Sequence, residues 1–349
     1  MVRGEGGMVV RLVATYIGAV IGAGFASGQE ILQFFILFGY KGLLGVLVST
    51  VLFAYLGSRV LDLSVRLRCS NYQELMSYLL GPRAGALMDK LSLFMLIGGL
   101  GVMLAGSGAV VEEYLGLPEW LGIGLTMLFI VAVLFNGLQG LLTVNVILVP
   151  VKLLAVSIIA CLALVYKGLP AELPAVAQKG VGGHWLWASL LYVSYNMVVP
   201  LAVLSSMGRT ISRKIGVCAG ILGGLGLGVT AALVTLAGLA FYPEVANYQV
   251  PMLYMASGVS TSLRPLFALL IWVAIVTTAI ADAHGFASRL APQGGKRYRV
   301  AGLLACAAVL PLTSIGFADL VSFLYPLFGY AGLLLMGALL VVPLIKSGV

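Results

Sequence analysis

The sequence predicts an all-α polytopic membrane protein, with ten transmembrane helices in a 5+5 inverted repeat and helices 1 and 6 broken. Three observations carry that expectation. The 349 residues are 61% hydrophobic and only 9% charged, whereas a soluble domain carries about 25% charged residues. Ten stretches are long enough to cross a bilayer, which takes about 20 apolar residues each. Two of these stretches are interrupted at the same place in two five-span halves, near 8–167 and 184–346. Because five is odd, the halves have opposite membrane topology.

The first span, near 9–38, contains Gly22-Ala23-Gly24-Phe25-Ala26-Ser27-Gly28 at its centre. Hydrocarbon offers no water, so each backbone N–H and C=O of a membrane helix must be bonded within its own segment. Three glycines and a serine in seven residues weaken that ladder at mid-depth. Arg3 and Arg11 before an apolar run resemble a signal peptide, but apolar character resumes through Ile31 to Phe38, so a broken span is expected instead. Spans near 42–65, 86–111, 119–136 and 140–166 complete the first half.

The second half opens at 185–208, broken at Tyr195-Asn196-Met197-Val198-Val199-Pro200, where proline removes one ladder donor. Spans near 214–241, 264–288, 299–317 and 320–345 follow. The stretch Tyr248 to Gly258 is too short to cross and is expected to lie over one face. The run Gly223 to Gly228 sits inside an apolar span and reads as a helix-packing surface. No loop exceeds roughly 20 residues, about one span's length, so a single transmembrane domain, 1–349, is expected.

Charge placement sets the orientation. Lys41, Lys167, Lys179 and Arg264 fall on one side, and Lys152 lies within a span. The remaining Lys and Arg, from Arg3 and Arg11 through Arg213 and Lys296 to Lys346, fall on the side of both termini. That side is expected to be cytoplasmic. The net charge of +8 therefore marks membrane topology, and no nucleic acid partner is expected. Cys69, Cys161, Cys218 and Cys306 show no CxxC, and two histidines, His184 and His284, make no His-rich site. Hydrolase, kinase and redox motifs are absent, so neither an enzyme nor a cofactor is expected.

Unwound backbone at membrane depth is tolerated only where protein buries it or where it lines a wet cavity. In secondary transporters, interrupted helices in corresponding halves hold substrate and coupling ion. The break residues Gly22 to Gly28 are therefore candidate substrate ligands. The N–H groups of Ser27, Gly28 and Gln29 are expected to face the cavity, suiting a carboxylate, while free carbonyls from Gly18 to Ile21 suit a cation. Packing of small residues is the alternative reading. Tyr195 and Asn196 at the second break, with Met103 and Ser107 in the third span, are further candidates. Ala274, Thr277 and Thr278 stand at i, i+3 and i+4 on one helix face, so two hydroxyls beside the free carbonyls would make an oxygen-rich site. Each threonine hydroxyl has an alternative partner in its own i−4 carbonyl. Lys152, seven residues after Asn145 on the same face, is an ionisable group at mid-membrane and functional by default; a structural ammonium tied to carbonyls is the alternative. Glu30 is open between an outer gate, a proton relay, a partner for a cationic substrate and a structural bond. Asp62, Asp282 and His284 are expected to pair with nearby arginines at the cytoplasmic ends, and Glu112, Glu113 and Glu119 to form a solvated outer rim.

The stretch TYIGAVIGAGFASGQEILQFF, Thr15 to Phe35, closely resembles the opening of the YkvI-like group of bacterial membrane proteins. YVSYN, Tyr192 to Asn196, and NYQVPML, Asn247 to Leu253, support the likeness. That group looks like a branch of the amino acid–polyamine–organocation superfamily, whose members share the LeuT fold. The resemblance implies a multi-pass transporter of the bacterial cytoplasmic (inner) membrane, working by alternating access. It carries over a sodium site onto the carbonyls of Gly18 and Ile21 and the face of Ala274, Thr277 and Thr278. In a proton-coupled member of the superfamily a lysine on span five takes the sodium's place, and Lys152 resembles it. The expected function is transport of a small amino acid or related zwitterion, proton-coupled or uncoupled through Lys152. The alternatives are sodium-coupled transport of an organic cation, or a ligand sensor on the same fold.

Overall fold

The computed structural model describes residues 2–136, 139–170 and 180–345, which form helices joined by turns. Lys179 and Lys346 lie outside the described residues, as do the side chains of Arg3 and Asn145. The first span divides into α1 (Val2–Val20), α2 (Ala23–Ser27) and α3 (Gln29–Phe34), closed by a 3-10 turn at Ile36–Phe38. Then come α4 (Tyr40–Arg66), α5 (Tyr72–Leu115), α6 (Glu119–Asn136) and α7 (Gln139–Lys167). The sixth expected span is α8 (Trp185–Asn196) with α9 (Val198–Ser205). It is followed by α10 (Arg213–Ala240), α11 (Pro251–Val259), α12 (Arg264–Leu290), α13 (Gly295–Val309) and α14 (Phe317–Ile345).

Among the described residues, seven helices are long and apolar enough to cross a membrane. The first expected span is divided into shorter pieces, and α6 and the 15-residue α13 fall below that length. The expected overlying segment is α11. The third span is longer than its hydropathy suggested and bends at Gly81, whose φ of 69° no L side chain adopts easily. Pro82 follows directly, so the amide lost from the ladder falls at the bend.

Close helix packing explains the glycine-rich composition. Gly220, Gly224 and Gly228 recur every four residues on α10 and lie on the α4 backbone. A Cβ on Gly220 would meet Ser58, one on Gly224 would meet the Ala54 N and Cα, and one on Gly228 would meet Thr50. Small residues at this spacing let two helix axes approach closely in lipid. Tyr16 wedges α1 against the same pair, lying on Gly57 and Gly223 and donating its hydroxyl to the Phe53 carbonyl at 2.8 Å. Asp62 binds Arg213 across this interface and Arg66 along α4 at 3.2 Å, as expected of it. Arg209 donates to the Arg68 carbonyl at 2.8 Å, and Arg289 to the Asp89 carbonyl at 3.2 Å. These contacts gather the basic residues on one side of the bundle, called here the basic side.

Gly224→Leu is expected to force α4 and α10 apart, because the Ala54 backbone has no room to yield. Overpacking of this kind costs about 1–3 kcal/mol, read as a lowered melting temperature of the purified protein. Gly124→Leu, which meets nothing within 4 Å, is the control expected to melt with the parent protein.

Candidate functional site

The helix of span one unwinds at Ile21 and Gly22. The Ile21 N–H still reaches the Ile17 carbonyl at 2.8 Å, but the Gly22 N–H turns back to Val20 at 2.9 Å. The Gly18 carbonyl thereby loses its i+4 donor, and no Phe25 N–H returns to the Ile21 carbonyl. These are the two carbonyls onto which the family resemblance carries a sodium site. The unwinding sits earlier than expected, however. The Ser27 hydroxyl and the N–H groups of Gly28 and Gln29 are satisfied where they stand. Ser27 Oγ donates to the Gly24 carbonyl at 2.8 Å, Gly28 N–H to Phe25 at 3.0 Å, and Gln29 N–H to Ser27 Oγ at 3.3 Å. Gly28, at φ 83°, makes a second bend under α11, where a Cβ would meet Met252 Cγ at 2.9 Å.

Span six is interrupted far less than expected. Met197 alone leaves the helix, with dihedrals still near helical. Its N–H reaches Val193 and its carbonyl receives Leu201, both at 3.0 Å. Pro200 removes the donor for the Asn196 carbonyl, so this span offers one freed carbonyl, not an open turn.

Glu30 folds back over Gly24. A Cβ on Gly24 would fall 2.9 Å from both the Glu30 Cδ and the Tyr325 hydroxyl. The Phe25 N–H and the Tyr195 hydroxyl face this carboxylate, yet Glu30 Oε2 and the Tyr195 hydroxyl complete no well-aligned hydrogen bond. The N–H end of the short outer helix, expected to receive a carboxylate from outside, thus receives one from its own chain.

A cavity of about 510 Å³ collects these groups. Gly18 lines it from α1 and Ile21 and Gly22 from the unwound turn, with Glu30 above them. Tyr195 and Asn196 line it from α8, Met103 from α5, Lys152 from α7, and Thr277 and Thr278 from α12. Gly18 packs on Val149, where a Cβ would meet Cγ1 at 2.6 Å, one turn before Lys152. The Thr277 and Thr278 hydroxyls donate to the Ala274 carbonyl at 3.0 and 2.9 Å, which leaves their lone pairs for a cation. Asn196 Nδ2 donates to the Tyr192 carbonyl at 3.1 Å.

Several expected ligands lie elsewhere. Ala23, Gly24, Phe25, Ala26, Ser27 and Gly28 are buried behind the wall, because the chain unwinds before them and then resumes its helix. Ser107 is buried and donates to the Leu104 carbonyl at 2.7 Å. Ala274 acts only as the acceptor for the two threonines.

Asp282 was missed as a wall residue. It lines the cavity against Gly99, where a Cβ would sit 2.8 Å from Oδ2. Among the described residues the ion pairs all belong to Asp62, so Asp282 lacks the arginine partner expected for it. The signal lay in its spacing, four residues after Thr278 on the same helix face. His284 pairs with the Tyr298 hydroxyl at 2.6 Å, not with an arginine. Tyr325, from the last span, had no local signal.

The cavity reaches Tyr72 and Arg289 and so opens to the basic side. Its opposite end is sealed by aromatic rings. Tyr195 contacts Tyr325 at 5.1 Å and Phe34 at 5.7 Å between centroids, and Phe35 meets Tyr192 at 4.8 Å. Beyond this plug, α11 is tied down by Glu113. Its carboxylate accepts the Gln249 N–H at 2.5 Å and the Val250 N–H at 3.1 Å. The Gln249 side chain bridges Glu119 at 3.3 Å and the Phe317 N–H at 2.6 Å. Glu113 and Glu119 are therefore latches, not a solvated rim.

No protein-family model matches the chain. Among solved structures, it resembles Mhp1 in an inward-facing conformation with a TM-score of 0.59 at 17% identity, over 93% of this chain and 75% of that one. Mhp1, a nucleobase-cation-symport-1 family transporter, in a closed conformation with bromovinylhydantoin bound gives 0.54 at 17% identity, over 92% and 74%. The Eremococcus coleocola manganese transporter in complex with an aromatic bis-isothiourea substituted compound gives 0.51 at 16% identity, over 94% and 76%. The fold is therefore LeuT-like. The uncharacterized protein YyaD of Bacillus subtilis (strain 168) is 30% identical over 339 residues, 95% of this chain and 96% of its own. The uncharacterized membrane protein YkvI of the same organism is 32% identical over 341 residues, 96% of each chain. The chain belongs to the YkvI family of membrane proteins.

Proposed function

We propose that this protein is a secondary transporter that carries a small amine-bearing solute by alternating access. The observation that carries the reading is the water-accessible cavity at the unwound point of span one, with bare carbonyls at Gly18 and Ile21. Such backbone at membrane depth is tolerated only where protein buries it or where it lines a wet cavity, and Gly18, Ile21 and Gly22 line a cavity. Mhp1 and the manganese transporter, which share the fold, are both transporters, which supports the same class here.

Two five-span halves, 8–167 and 184–346, would supply the moving parts. In support, α4 packs on α10, α5 on α12 and α1 on α9, which pairs corresponding spans of the two halves. Rocking of spans 1, 2, 6 and 7 against 3, 4, 8 and 9 would open the aromatic plug while closing the basic side. With both termini cytoplasmic in the inner membrane, the cavity described here faces the cytoplasm.

The substrate is a small amino acid or related zwitterion, its ammonium directed at Glu30 and Asp282. A second reading, an organic cation, is favoured by the Phe25 N–H facing Glu30, which fills the place a substrate carboxylate would take. Lys152, which lines the same cavity as Gly18, Ile21, Thr277 and Thr278, would take the position of a coupling cation. Its ammonium would give up a proton as the cavity changes sides, so the coupling ion is a proton; sodium would take the same oxygens if Lys152 withdrew.

Uptake into proteoliposomes under a pH gradient tests the class. Accumulation of a labelled amino acid or amine is expected, whereas binding without accumulation would mark a ligand sensor. Lys152→Ala is expected to transport with no dependence on pH, and an unchanged pH profile would remove Lys152 from coupling. Gly24→Ala is expected to push Glu30 aside. Loss of one charge-assisted hydrogen bond, about 1.5–3 kcal/mol, would weaken ligand binding tenfold or more in calorimetry. Undiminished affinity would place the ligand away from Glu30.

A further inference from the structure

A second cavity, of about 770 Å³, lies outside the bundle's central space, between α12 and α13 with Ile97 of α5 behind it. Its floor is a stripe of small residues on α13, Ala301, Ala305 and Ala308, at i, i+4 and i+7. Phe286, Leu290 and Leu304 form its apolar walls. At one end stand Lys296 and Arg297, both exposed. Among the described residues neither forms an ion pair with a carboxylate.

Length and polarity together name an occupant. From Lys296 to Ala308 the helix rises about 18 Å at 1.5 Å per residue. The hydrocarbon of one leaflet is about half of a 30 Å core. The groove therefore runs from the basic interface to roughly the middle of the bilayer, with cations at the interface and apolar walls below. A free phosphate would use only the two cations and leave the groove empty. A zwitterionic lipid would fill the groove but bring a cation of its own to Lys296 and Arg297. Basic pockets between membrane helices on this side suit anionic headgroups.

We propose that this groove binds one anionic phospholipid, its phosphate between Lys296 and Arg297 and an acyl chain along the alanine stripe. The site does not depend on the transport reading. It bears on it, because α12 is a shared wall: Thr278 and Asp282 face the central cavity, and Phe286 and Leu290 face the groove. A chain seated there presses on the helix that carries the candidate cation ligands.

The test is native mass spectrometry of the full chain released from nanodiscs of equal phosphatidylglycerol and phosphatidylcholine. One retained phosphatidylglycerol is expected. Each basic residue near an anionic surface is worth about a fivefold preference, or roughly 30-fold for two. Lys296→Gln with Arg297→Gln is expected to abolish the preference at an unchanged melting temperature, both side chains being exposed. Ala301→Phe, with the cations intact, is expected to lose the retained lipid by filling the groove. Equal retention of the two lipids, retention by the double variant, or displacement of the lipid by millimolar inorganic phosphate would each overturn the assignment.

Discussion

In hydrocarbon every peptide group must be bonded by its own helix or by something that replaces water, and the whole site follows from where this rule is relaxed. At Ile21 and Gly22 the ladder of span one opens, and the Gly18 and Ile21 carbonyls face a cavity instead of an amide. Everything nearby compensates for that opening. Gly18 lets α7 approach within van der Waals contact, which brings Lys152 to the same space. The threonines of α12 keep their protons on Ala274 and turn their lone pairs outward.

Glu30 gives the site its electrostatic character. With its carboxylate turned to the Phe25 N–H, the outer half of span one is satisfied from within and the cavity loses its anion-binding end. Two acidic side chains, Glu30 and Asp282, share the wall with two basic ones, Lys152 and, at the mouth, Arg289. The aromatic plug of Phe34, Tyr192, Tyr195 and Tyr325 excludes water above Glu30, and the Glu113–Gln249 latch holds α11 over it. The molecule is thus closed on one side and open on the other, as alternating access requires of each end state.

Most of the architecture was legible because lipid makes hydropathy a direct readout of span position. Most helices lie within a few residues of the apolar stretches, α5 excepted, and Gly220, Gly224 and Gly228 pack as their spacing implies. Local chemistry was less legible. Glycines and a proline mark where a ladder can fail but not by how much: span one unwinds only at the leading edge of its glycine cluster and resumes its helix at Ala23, and span six merely bends at Met197. Ser27 resembles a cavity ligand in sequence, yet its hydroxyl is used by the Gly24 carbonyl. Asp282 reads as a loop-side anion until α5 places Gly99 against it, and Tyr325 reaches Glu30 from nearly 300 residues away. Those contacts depend on tertiary packing that no local pattern encodes.

Thiol accessibility at the unwound turn measures the central claim directly. In a protein with its four cysteines replaced by alanine, Gly22→Cys in sealed vesicles of known orientation is treated with a membrane-impermeant maleimide. Modification from the basic side, slowed when a transported solute is present, is the result expected of a cavity at Ile21–Gly22. A thiol that stays unmodified from both sides, in protein that remains folded, would mean the turn is sealed in the bundle and the site lies elsewhere.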